Sequence, residues 1–95
     1  MILDEVKEKA VPILRKAGIK RAGVFGSVAR GDVTEKSDID FLYEVGKRPF
    51  GLFDLVDLRD ELEKTLGREV DLVSYKYIHP LLREDILKEA VDILQ

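Results

Sequence analysis

The chain has 95 residues and a net charge of −3, with 37% of its residues charged, 45% apolar and none of them cysteine. That suffices for one compact domain with a modest core and excludes a disulfide framework or a cysteine-based zinc site. No apolar stretch approaches the roughly 20 residues a bilayer requires, no signal-like segment opens the chain, and basic residues interleave with acidic ones, so a soluble cytoplasmic protein without membrane or strong nucleic-acid binding is expected.

The composition is rich in Lys, Glu and Arg and lacks Asn and Trp, which suggests a thermophilic source. Residues 2–17 place Ile2, Val6, Ala10, Ile13, Leu14 and Ala17 at helical spacing, with Gly18 as the C-terminal cap. Pro12 lies inside this helix, where it could force a break near Val11; the helix is expected to continue through it with a kink. Residues 20–25 read as a short strand, 27–30 as a single helical turn, 31–36 as a polar loop and 37–44 as a second strand. Lys47, Arg48 and Pro49 mark a solvated loop. Leu52, Leu55, Val56, Leu58, Leu62 and Leu66 then form a helical stripe that Gly67 ends. Residues 68–74 read as the third strand. Pro80 opens a last helix whose stripe of Leu82, Ile86, Ala90 and Leu94, with Leu87 and Val91 beside it, is expected to run to the end of the chain. That face is expected to be core, with part of it serving an oligomer interface.

This order, helix–strand–turn–strand–helix–strand–helix, predicts a single α/β (α+β) domain over residues 1–95, with helices packed on a small mixed sheet of three or four strands. The second and third strands, joined through a helix, should be parallel, and the first and second antiparallel.

The chemistry concentrates between Val24 and Leu42. Gly26-Ser27 ends the first strand, where a sharp turn would leave backbone N–H groups free. Asp38 and Asp40 alternate with Ile39 and Phe41, so both acids face one side of a strand and the apolar pair the other. Two adjacent carboxylates repel unless a cation lies between them, and oxygen donors of this kind suit Mg²⁺. If the second and third strands are neighbours, Asp71 stands opposite the pair, and three carboxylates converge at one end of the sheet. Such a group, holding two Mg²⁺ ions beside a turn that presents N–H groups to phosphate, makes a phosphoryl- or nucleotidyl-transfer site.

The combined pattern is Gly26-Ser27, ten further residues, Asp38-Ile39-Asp40, and then Asp71 between hydrophobics. It resembles the DNA polymerase beta-like nucleotidyltransferase superfamily. Within that superfamily, Gly-Ser-Val-Ala-Arg-Gly-Asp followed by Ser-Asp-Ile-Asp is similar to the minimal nucleotidyltransferases, the antitoxins of HEPN/MNT toxin–antitoxin pairs. The resemblance covers most of the chain. It implies that Asp38 and Asp40 bind both metals, that Asp71 is the third carboxylate and the base, and that Gly26 and Ser27 hold the β- and γ-phosphates with help from Arg30. It further implies ATP as donor, and AMP transfer to a tyrosine of a HEPN-type toxin partner.

Plainer readings stand beside these. Asp71 has Glu69 on its face and could be a surface neighbour, and Arg30 could pair with Asp32 or Glu35 instead of phosphate. His79 before Pro80 reads as local turn structure. Tyr75 and Tyr77 could accept AMP in self-modification or pack at a surface or interface. In function, a protein adenylyltransferase competes with a binding module that neutralises its partner by contact, and with a small-molecule or RNA nucleotidyltransferase. The last is disfavoured, because larger relatives add a second domain to grip acceptor and base.

Overall fold

A computed structural model describes residues 2–34 and 36–95. Its elements are helix α1 (Leu3–Lys16), strand β1 (Ile19–Phe25), the helical turn α2 (Ser27–Arg30), β2 (Ile39–Val45), α3 (Leu52–Leu66), β3 (Val70–Ser74), a 3₁₀ turn (Tyr75–Tyr77), α4 (Pro80–Glu89) and β4 (Val91–Leu94). The four strands form one mixed sheet in the order β3-β2-β1-β4. As expected, β1 and β2 are antiparallel and β2 and β3 parallel.

The periodic stripes explain the packing. Val6, Ala10, Ile13 and Leu14 of α1, with Leu58, Leu62 and Leu66 of α3, lie buried against Ala22 and Val24 of β1, Ile39 and Phe41 of β2 and Val70 of β3. Alternation along β2 sends Ile39 and Phe41 into this core and leaves Asp40 and Leu42 on the opposite face. There Leu42 packs with Tyr75 and Ile78, and Phe25, Val73, Ile86 and Ala90 lie partly buried against them.

One expectation holds and another is corrected. The helix α1 runs through Pro12 without a break. Pro12 is exposed while Ala10, Ile13 and Leu14 are buried, so packing on the inner face holds the helix despite the hydrogen bond that proline cannot make.

The correction concerns the end of the chain. The last helix stops at Glu89, Ala90 takes an extended conformation (φ −62°, ψ 139°), and Val91–Leu94 forms a strand antiparallel to β1. The expected stripe therefore splits. Ile93 and Leu94 enter the core from the sheet, whereas every residue of α4 is exposed or half-buried. The exposed Leu81 and Leu82 show that α4 does not bury the wide core face read from the sequence.

Other residues follow their plainer readings. His79 caps α4, its Nδ1 accepting the Leu81 N–H at 3.1 Å. Arg48 donates to the Lys16 carbonyl at 2.7 Å, pinning its loop to the end of α1. Tyr75 is buried and Tyr77 is exposed, so of the two only Tyr77 is open to modification.

Candidate active site

The register of the sheet assembles the site. On the central strand β2, Asp40 lies opposite Phe25 of β1 on one side and Asp71 of β3 on the other. The residue after Phe25 is Gly26, so the turn leaving β1 sits directly beside the Asp40 carboxylate.

Glycine is required at position 26 for two reasons. Its φ of +75° lies in the region that side-chain-bearing residues avoid. A Cβ there would also collide with Asp40 Oδ2.

Asp38 immediately precedes β2 and shares the Asp40 face. Its loop is held from both ends. The Ile39 N–H donates to the Glu69 carbonyl at 2.9 Å, and the Arg68 guanidinium donates to the carbonyls of Thr34 and Ser37.

The neighbouring acids act on Asp40. Asp40 is pushed up to about 6 from 3.8, first by burial, then by the charges of Asp71 and Asp38, a hydrogen bond with Asp71 and the charge of Glu89. Carboxylates crowded in this way repel one another unless a cation lies between them. The donor set is oxygen-rich, while His79, the sole histidine, is spent on a helix cap, so it fits Mg²⁺ better than zinc. Among the described residues no three His, Asp or Glu side chains are grouped closely enough to hold a metal ion by themselves. Asp40 and Asp71 are register partners on adjacent strands, and Asp38, which is exposed, stands at the mouth.

An open depression of about 460 Å³ lies over this end of the sheet and is lined by Gly26, Ser27, Arg30, Asp38, Asp40 and Glu89, among others. Thus Asp38, Asp40, Gly26, Ser27 and Arg30 come together around one cavity, and Asp71 adjoins it through Asp40.

Arg30 pairs with Asp32, as its plainer reading allowed, and also with Glu89, which that reading did not include. Its Nε donates to Asp32 and its NH1 to both oxygens of Glu89, each at 3.1 Å. These hydrogen bonds, Asp32 first, raise the guanidinium above its ordinary value. The other proposed partner, Glu35, lies outside the described residues. Glu89 also accepts the Gly26 N–H at 2.5 Å. Sequence reasoning missed Glu89 because it lay within a helix expected to continue past it.

Comparison with known proteins decides the family. Residues 2–93 match the model of the nucleotidyltransferase domain. The chain belongs to the nucleotidyltransferase family.

A relative from Methanocaldococcus jannaschii, MJ0435, provisionally named as a protein adenylyltransferase, is 54% identical over 94 residues, which span 99% of this chain and 100% of that one. Among solved structures, one described provisionally as a minimal nucleotidyltransferase superposes with a TM-score of 0.79 at 38% identity, covering 96% of this chain and 95% of the other. A toxin–antitoxin structure with AMP-PNP shares the fold, with a TM-score of 0.77 at 21% identity over 92% of this chain and 71% of that one. The protein is therefore an enzyme of the nucleotidyltransferase type.

Proposed function

We propose that this nucleotidyltransferase is a Mg²⁺-dependent protein adenylyltransferase. It moves AMP from ATP to a tyrosine of a HEPN-type toxin partner in the cytoplasm, and so acts as an antitoxin. The observation that carries the reading is the register that sets Asp40 against Asp71 with the Gly26 turn beside it. The identity to a relative named for protein adenylylation, and the shared fold with a toxin–antitoxin structure that contains an ATP analogue, support the choice of donor and partner.

In this reading Gly26 and Ser27 receive the β- and γ-phosphates, with Arg30 at their side. Asp38, Asp40 and Asp71 would hold two Mg²⁺ ions, which neutralise charge on the attacking and leaving oxygens. The tyrosine oxygen forms a bond to the α-phosphorus as the bond to the bridging oxygen breaks, releasing pyrophosphate. Asp71, an exposed acid on β3 opposite Asp40, takes the phenolic proton. In-line transfer demands that the hydroxyl be held at the α-phosphate, and so small a domain leaves that task to the partner. Two exposed apolar surfaces are available for docking: Leu81 and Leu82 on α4, and Leu52 and Phe53 at the start of α3. Leu52 also lines the groove that Asp71 lines.

The test is incubation with ATP, Mg²⁺ and the HEPN-type partner, followed by intact-mass analysis. AMP increments on the partner are expected, with little transfer by the lone chain. A partner that is neutralised yet unmodified would instead mean inhibition by contact, and rapid modification of generic tyrosine peptides would mean that no partner completes the site.

A further inference from the structure

The Glu89 carboxylate sits where an anion is expected. Its Oε1 accepts the Gly26 N–H, and both its oxygens face Arg30 NH1 at 3.1 Å. These are the backbone donor and the cation that the proposed function reserves for triphosphate. We propose that Glu89 is an internal competitor for the phosphate seat, occupying it in the nucleotide-free enzyme and leaving when ATP binds. This inference rests on the phosphate role proposed for Gly26 and Arg30.

Two physical arguments carry it. The first is stoichiometric. Gly26 is buried, and a buried N–H requires an acceptor. It has one proton to give, so a phosphate oxygen can take the place of the carboxylate but cannot share it. A carboxylate left in place would also face the triphosphate across a few ångströms and repel it.

The second argument is mechanical. Glu89 is the last residue of α4, and Ala90 joins that helix to β4 in extended backbone. The strand beyond is anchored through buried Ile93 and Leu94. The helix itself rests on the sheet chiefly through half-buried Ile86, together with an Arg83 hydrogen bond to the Tyr75 carbonyl at 3.0 Å. Segments so lightly packed open at low free-energy cost, so Glu89 can withdraw without disturbing β4.

If Glu89 merely tethered α4, removing its charge would loosen the protein and leave nucleotide affinity unchanged. A competitor moves the two readouts in opposite directions. Glu89→Gln keeps the side chain's size and a neutral acceptor but abolishes the ion pair with Arg30. It should lower the thermal midpoint of the nucleotide-free enzyme and tighten Mg²⁺–ATP binding about tenfold, in keeping with the usual strength of charge-assisted hydrogen bonds. Glu89→Ala should bind at least as tightly.

Isothermal titration of wild type and both variants reads the affinities. Equal or weaker binding by the variants overturns the proposal while leaving the phosphate reading intact. Absence of binding by all three proteins overturns both. A measurement on the wild type alone stands independent of variant folding. Saturation with Mg²⁺–ATP should quicken hydrogen exchange in residues 80–89 while slowing it at Gly26–Arg30. Slower exchange, or none changed, in residues 80–89 would show that Glu89 stays in place, and the proposal would fall.

Discussion

Replacing Asp40 with asparagine should stabilise the metal-free enzyme while destroying its activity. In the folded chain Asp40 is raised to about 6 from 3.8. A carboxyl raised on folding contributes stability that is fully present below the unfolded value and is lost as pH rises through the folded one. The penalty of ionised Asp40 thus grows between about pH 4 and 6 and is complete at pH 7. The full gap corresponds to at most about 3 kcal/mol. Asp40 is only half-buried, and solvent screening reduces this to about 1–2 kcal/mol. For a domain of this length that is roughly 5–10 °C in thermal midpoint. Asp40→Asn, which stays neutral throughout, should therefore melt higher than wild type at pH 7.5 in EDTA and equally at pH 4. Adding Mg²⁺ and ATP should reverse the order, since only wild type has the charge to hold the ion. Calorimetry across pH, with and without Mg²⁺, gives the answer. A variant that melts at or below wild type throughout pH 6–8 without metal would refute the reasoning about clustered charge. Full transfer activity would refute the metal role.

Asp71→Asn should return Asp40 toward its ordinary value, visible as a downward-shifted carboxyl titration by NMR, and should cut transfer at least as sharply as it perturbs stability. Gly26→Ala should damage folding as well as nucleotide binding, because of the positive φ and the approach to Asp40. A loss of about 1–3 kcal/mol by denaturant unfolding is expected, and unchanged stability would mean the turn can relax. Leu62→Ala, at a fully buried site, should cost about 2–5 kcal/mol in the same assay while leaving ATP affinity intact in the folded fraction.

The parts of the molecule that sequence reading reached are those governed by local period and local chemistry. Helix α3 ends at Gly67 as its leucine stripe and cap require. The alternation Asp38-Ile39-Asp40-Phe41 put the acids on one face because the strand period admits no other arrangement with Ile39 and Phe41 buried. Position 71 followed from a parallel β2–β3 pairing, which a helical crossover favours.

The end of the chain was not legible for a physical reason. Leu82, Ile86, Ala90 and Leu94 keep helical spacing, and neither glycine nor proline marks the change at Ala90. The strand that replaces the helix exists because the open edge of β1 pairs with Val91–Leu94, a contact distant in sequence that no local period encodes. Glu89 was missed with it, since only the early end of α4 delivers that carboxylate to Gly26 and Arg30.

The central claim is that this chain transfers a nucleotidyl group from ATP through the acids gathered at Asp40. It is tested most directly by incubating the enzyme, Mg²⁺ and the HEPN-type partner with ATP labelled either at the α- or at the γ-phosphorus. Label on the partner from α-labelled ATP, none from γ-labelled ATP, and neither with Asp40→Asn is the result expected. Label retained from the γ-position, or α-label transferred undiminished by Asp40→Asn, would contradict it.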